Sequence, residues 1–141
     1  MSPLERQFDM EPLISIQLFS RPPVYTPGEE LVCDYQIDAV AAEEIQAVEA
    51  SILWYTEGKG DEDMGVHYFE RRVAHDQDED LRALRRFQTV MPNSPLTYHG
   101  EIVQVHWCAR VRLFLRGKEV AAEHPLQLGV HPAPWTELAL H

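Results

Sequence analysis

The chain lacks most of the signatures that announce a chemical activity. It has two cysteines in 141 residues, Cys33 and Cys108, with no paired-cysteine motif, and none of its seven histidines lies three or four residues from another across an acid. Zinc-type ligand spacing is therefore absent, and no metal site is expected. No glycine-rich phosphate loop and no GxSxG turn occur, and Ser94, close to His99, has no acid placed to orient a base. Neither a catalytic residue nor a cofactor is expected on these grounds. The acidic stretches 61-DED-63 and 76-DQDED-80 lack the mid-loop glycine and closing acid of an EF-hand, and read as solvated loops. No run of 18 apolar residues occurs, and the first thirty residues carry no charged stretch followed by an apolar one. The expectation is a soluble, cytoplasmic protein with no integral membrane association. Lysine is scarce, ten of the twelve basic residues being arginine, and the formal net charge of -11 argues against nucleic acid as a partner.

What is present is β-type periodicity. From Glu101 to Arg116 no breaker interrupts the chain, and Val103, Val105, Trp107, Ala109, Val111, Leu113 and Leu115 occupy alternate positions. His106, Cys108, Arg110 and Arg112 take the other face, as a half-buried strand requires. Cys33 travels instead with Leu31, Tyr35 and Ile37, the inward phase of a strand over Glu30 to Asp38. The Cys33, Trp54, Cys108 order superficially matches an immunoglobulin domain, but the two cysteines differ in phase. Two free thiols, as in a reducing compartment, are the expectation.

Other strands are expected over Leu13 to Phe19, with Ile14, Ile16 and Leu18 inward, and from Ile45 through ILWYT, where Val48, Ala50, Ile52 and Trp54 keep a period of two. Helix propensity favours AVAAEE, which is left as a helical turn before that strand. EGKGDEDMG, with three glycines and four acids, is a hairpin loop leading into GVHYFERRV, a strand whose phase the pattern does not set. Leu81, Leu84 and Phe87, spaced by three, leave room for one short helix before a strand from Arg85 to Met91. A last strand spans Val120 to Val130, and Pro125 within it implies an edge or a bulge. The sum is an all-β, antiparallel, immunoglobulin-like β-sandwich of about seven strands with at most one short helix. Residues 1–12 read as an N-terminal arm, 13–130 as the sandwich and 131–141 as a C-terminal tail carrying Trp135, Leu138 and Leu140.

Two turns carry a resemblance. YTPGEELVCDYQID, with Tyr25, Pro27, Gly28 and Glu29, and MPNSPLTYHGEIVQVHWCARVRL, with Pro92, Pro95, Thr97, Tyr98 and Gly100, resemble the turns that open long strands in arrestin-like amino-terminal lobes. IQAVEASILWYTEG, from Ile45 to Gly58, is similar to that family's third strand. The resemblance covers roughly residues 13 to 130. It implies an arrestin-like fold and a non-catalytic protein-interaction or adaptor role, as in arrestins, retromer-type sorting subunits and bacterial sporulation-control proteins. The chain departs from the pattern in having length for one lobe and Asp34 where a glycine is expected, and no phosphate-sensing residues match. The turn residues themselves read as structural: proline and glycine preset the geometry that aims the strands. Tyr98 is expected to bond a neighbouring backbone group.

For a binding surface the sequence offers two candidates. Arg110 and Arg112 point outward together, either as cross-strand ion pairs with a strand carrying Glu49 and Ser51 or as a face for an acidic or phosphorylated peptide. Trp135 and Leu138 either cover the sandwich or join a second copy, which makes a homodimer the alternative to a protein-binding module. A metal-dependent or hydrolytic enzyme is the more distant rival. The pattern names no partner.

Overall fold

The computed structural model describes residues 11–74 and 79–129. Its strands, β1 (Leu13–Leu18), β2 (Val24–Tyr25), β3 (Glu30–Asp38), β4 (Ile45–Gly58), β5 (Met64–Val73), β6 (Arg85–Val90), β7 (Tyr98–His99), β8 (Val103–Leu115) and β9 (Lys118–Leu128), form two facing sheets. The smaller has the order β1-β3-β6 and the larger β2-β9-β8-β4-β5, with β7 added to β8. Seven strands are long; β2 and β7, of two residues each, bring the number to nine. All pairings are antiparallel except β2 with β9, which run parallel.

Alternation builds the core. On β3, Leu31, Cys33, Tyr35 and Ile37 face inward; on β4, Val48, Ala50 and Ile52; on β8, Trp107, Ala109, Val111 and Leu113. Val103 and Val105, expected in the inward set, are only half-buried near the start of β8, outside the contiguous core. Ile14, Ile16 and Leu18 face the core from β1. Along one side of the sandwich β5 and β6 are joined by side chains, with Tyr68 stacked on Phe87 at a centroid distance of 4.5 Å. Pro125 lies opposite Cys108 of β8, but Gln127, two residues on, donates its N–H to the Pro23 carbonyl on the side away from β8, so the N–H that Pro125 lacks would point to the side where no strand pairs it.

One expectation needs correction, and two residues on outward phases prove to be buried. No helix forms over 81–87: Arg85 and Phe87 pair with Tyr35 and Cys33 of β3, and Leu81 is buried in the turn before them. Among the described residues the only helical segment is the 3₁₀ turn Ala42–Glu44, in the AVAAEE stretch. Asp34, on the outward phase of β3, is buried rather than solvated, because Arg86 on the paired strand folds over it with a two-pronged bond of 2.8 and 3.1 Å and lies against the Phe19 ring. Cys108 is on the outward phase and yet buried, lying opposite Leu53 on the outer surface of the larger sheet, not between the sheets.

Candidate functional site

The two turn motifs act as clamps. Thr26, Pro27, Gly28 and Glu29 form a tight turn in which Glu29 N–H donates to the Thr26 carbonyl at 3.0 Å, and the Glu29 carboxylate accepts from Thr26 N–H at 2.9 Å. Gly28 has φ of +85°, the position where a proline-led turn of this type requires glycine. Gly28 N–H donates to the Met91 carbonyl and Met91 N–H to the Glu29 carbonyl, each at 2.9 Å, tying this turn to the second one. The buried Tyr25 ring anchors it from the core, and its carbonyl accepts from Gly129 N–H at 2.7 Å. In the second turn, after Pro92, the Pro95 carbonyl accepts the indole N–H of Trp107 at 2.7 Å. Thr97 N–H donates to the Leu128 carbonyl at 2.9 Å, while Leu128 N–H donates to Thr97 Oγ1 at 2.8 Å. Among the described residues the Tyr98 hydroxyl bonds to nothing, contrary to expectation; the exposed ring instead covers Gly100, where a Cβ would strike it and come within 2.7 Å of the Val103 carbonyl.

Arg110 and Arg112 both lie on the outer surface of the larger sheet, and both are engaged. Arg110 pairs with Glu123 and Arg112 with Glu119, the latter through two bonds of 2.8 and 2.9 Å. Glu49, directly opposite Arg112, lies 3.6 Å from it and also pairs with Arg71. The Arg71 and Arg112 guanidiniums both lie over the Phe114 ring, at 5.3 and 5.1 Å from its centroid. The partners on β9, Glu119 and Glu123, were not singled out by the sequence pattern, although they lie on the outward phase of that strand. Trp135 and Leu138 lie outside the described residues, as do residues 76–78 of the second acidic loop.

The same surface has a second half with different chemistry. Strand register sets up a transverse row Val66, Leu53, Cys108, Pro125 across β5, β4, β8 and β9, all on the outward side. It is flanked by Met64, Tyr55 and His106 on one side and by Phe69 and Ser51 on the other. Leu53 and Cys108 are 1% and 3% exposed, whereas Met64, Val66 and Phe69 are 55%, 51% and 54% exposed. A solvated sheet face should present polar residues at these positions. The row opens at its β8–β9 end into a groove of about 600 Å³ lined in part by Pro23, Tyr55, His99, His106 and Pro125. Burial pushes the Cys108 thiol up to about 11, with Glu123 acting in the same direction, as for a side chain packed in the sheet face. Among the described residues, no three His, Cys, Asp or Glu side chains converge as a metal site would require.

The sequence reading missed Met64, Val66 and Phe69 because β5 carries a bulge. Ile52 is opposite Tyr68 and Leu53 opposite Val66, leaving His67 as the extra residue. Val66 and Phe69, three apart, therefore share a face, which no period of two reveals.

A second cluster lies between the sheets at the β5–β6 side. Glu70 accepts from the Tyr35 and Tyr68 hydroxyls, each at 2.6 Å, and from Arg85 Nε and Nη2 at 3.1 and 3.2 Å. Burial opposes its ionisation, but the Arg85 fork and the two tyrosine hydroxyls outweigh it and hold the carboxyl below its usual range. The tyrosines are displaced upward, first by burial and then by Glu70, Tyr68 to about 12. Every polar group of Glu70 is used internally, which makes this a cross-brace between sheets and not a reactive centre.

No family model matches the sequence, and no curated protein matches it. The fold is similar to that of Spo0M, a sporulation control protein from Bacillus subtilis, with a TM-score of 0.58 and 14% identity, covering 92% of this chain and 53% of that one. The chain thus spans about half the length of that protein. No described helix is long and apolar enough to cross a membrane. With two facing sheets, the linked turn motifs and this structural likeness, the chain has the arrestin-like β-sandwich fold.

Proposed function

We propose that the chain is a non-catalytic protein-interaction module that docks its partner on the apolar half of the outer surface of the larger sheet. The observation that carries this reading is the exposed apolar set Met64, Val66 and Phe69 on the outward side of β5, each more than half exposed, beside the covered outward pair Leu53 and Cys108. A cluster of exposed apolar side chains on one sheet face is the surface expected of a docking site. The likeness of fold to a sporulation control protein supports a regulatory or adaptor role over an enzymatic one. Arg110 and Arg112 belong to the rim: with Glu123, Glu119 and Glu49 already on them, they hold little free charge for an acidic peptide. Two buried free thiols support a reducing, cytoplasmic setting. The domain limits we infer are 13–130, with 131–141 as a tail.

Val66→Asp and Phe69→Asp test the reading. Both side chains are half exposed on an edge strand, so the fold should survive with a midpoint shift of a few degrees at most, while binding of a co-purifying or genetically identified partner is lost. Binding that survives both changes would exclude this face.

A further inference from the structure

We infer that the partner on this face is a second copy of the same chain, packed sheet to sheet about a two-fold axis that lies in the interface, runs along the strands and passes between β4 and β8. The inference rests on the docking face proposed above and adds its occupant. Self-complementarity carries it. Such an axis keeps each transverse row at its own level and reverses its order, as an isologous contact requires. Reversal of the row Val66, Leu53, Cys108, Pro125 sets the exposed Val66 of one copy over the exposed Pro125 of the other at both ends of the row, while Leu53 and Cys108, already covered within their own chain, lie beneath the contact; in the next row Phe69 falls over Glu123 and Ser51 over Arg110. Reversal of the row Arg71, Glu49, Arg112, Ala121 sets Glu49 of one copy over Arg112 of the other, and the reciprocal, with opposite charges facing at both contacts.

Charge supports the same occupant. A chain of net charge -11 repels its own copy over most of its surface. The outer rows differ: Arg71, Arg110 and Arg112 face Glu49, Glu119 and Glu123, so this patch is locally neutral. Size is adequate. Four strands about 4.8 Å apart and about 27 Å of strand length give on the order of 500 Å² in projection, and side-chain relief brings this toward the roughly 800 Å² per partner of a standard interface. Sheets packed in this way keep their strands within about 30° of each other, which the axis direction satisfies.

Sedimentation equilibrium of the full chain and a crosslink test the inference together. The expected mass is twice the 16.3 kDa of one chain, falling to a single chain in Val66→Asp. In the double variant Val66→Cys/Pro125→Cys, a short bis-maleimide should join two chains, and neither single variant should do so. Within one chain these positions are three strand spacings apart, about 14 Å, out of reach of the shortest reagents. A single-chain mass at all concentrations overturns the inference, as does a dimer indifferent to Val66→Asp. So does a dimer lost in Trp135→Ala but kept in Val66→Asp, since it is then built on the tail. If the chain is monomeric but Val66→Asp still abolishes binding to another protein, the docking face stands and only its occupant is wrong.

Discussion

Glu70 shows how a single residue braces this fold. It lies on β5 in the larger sheet, and its carboxylate is held by Tyr35 and Arg85 from the smaller one. Glu70→Ala removes the carboxylate that accepts from the buried Tyr35 hydroxyl and from Arg85, and a loss of about 2–3 kcal/mol of unfolding free energy is expected from denaturant titration. Glu70→Gln, which keeps an acceptor for the tyrosines, should cost less. The pH dependence has a definite sign. Because the folded carboxyl is held below its unfolded value of about 4.3, the stabilisation is complete above that pH and is lost as pH falls through the folded value. In Glu70→Gln the acid limb of the stability curve should be shallower. The cysteines make a second residue-level prediction. Burial first, then neighbouring acids, pushes the Cys33 thiol up to about 12, and burial and Glu123 push Cys108 to about 11. At pH 8 neither should react with a thiol reagent in the native protein, and both should react in denaturant. Phase was legible here but burial was not: alternation placed Cys108 outward, and only the register that sets it between Leu53 and Pro125 shows why it is covered.

At the scale of elements, the strands were legible wherever alternation was unbroken. β3 and the long runs of β4 and β8 follow the hydrophobic period closely, because one face of each is committed to the core. The readings that failed are those where a tertiary partner decided. Leu81, Leu84 and Phe87 have helical spacing, but Phe87 is claimed by the Tyr68 ring and by pairing with Cys33. On β5 the bulge at His67, whose Nε2 bonds the Val90 carbonyl at 2.8 Å, reverses parity midway and hid the apolar face. The turn motifs were readable as turns, though their clamping bonds were not. Thr97→Val should strand the N–H of the buried Leu128 and cost about 1–3 kcal/mol, read as a shift in the denaturation midpoint. Gly100→Ala should destabilise by a comparable amount, because both the Tyr98 ring and the Val103 carbonyl stand where the methyl must go. Replacing Tyr98 by Ala as well should relieve only part of that loss, since the backbone carbonyl remains.

For the whole molecule, the proposed function rests on how polarity is distributed over the two outer faces. The sandwich needs polar surface on both, and β3 provides it with Gln36 and Asp38 exposed. The larger sheet does so only in the half where the arginines and glutamates pair, leaving the half around Val66 apolar. That asymmetry is the basis of the proposed docking face. A photo-reactive amino acid placed at Val66, compared with the same group at the exposed Gln36 on the opposite face, tests this most directly in the full-length chain. The account predicts a protein adduct from position 66, with this chain or another, that disappears when Phe69→Asp is added, and none from position 36. Adducts from position 36 alone, or an adduct at 66 that Phe69→Asp leaves intact, would contradict it.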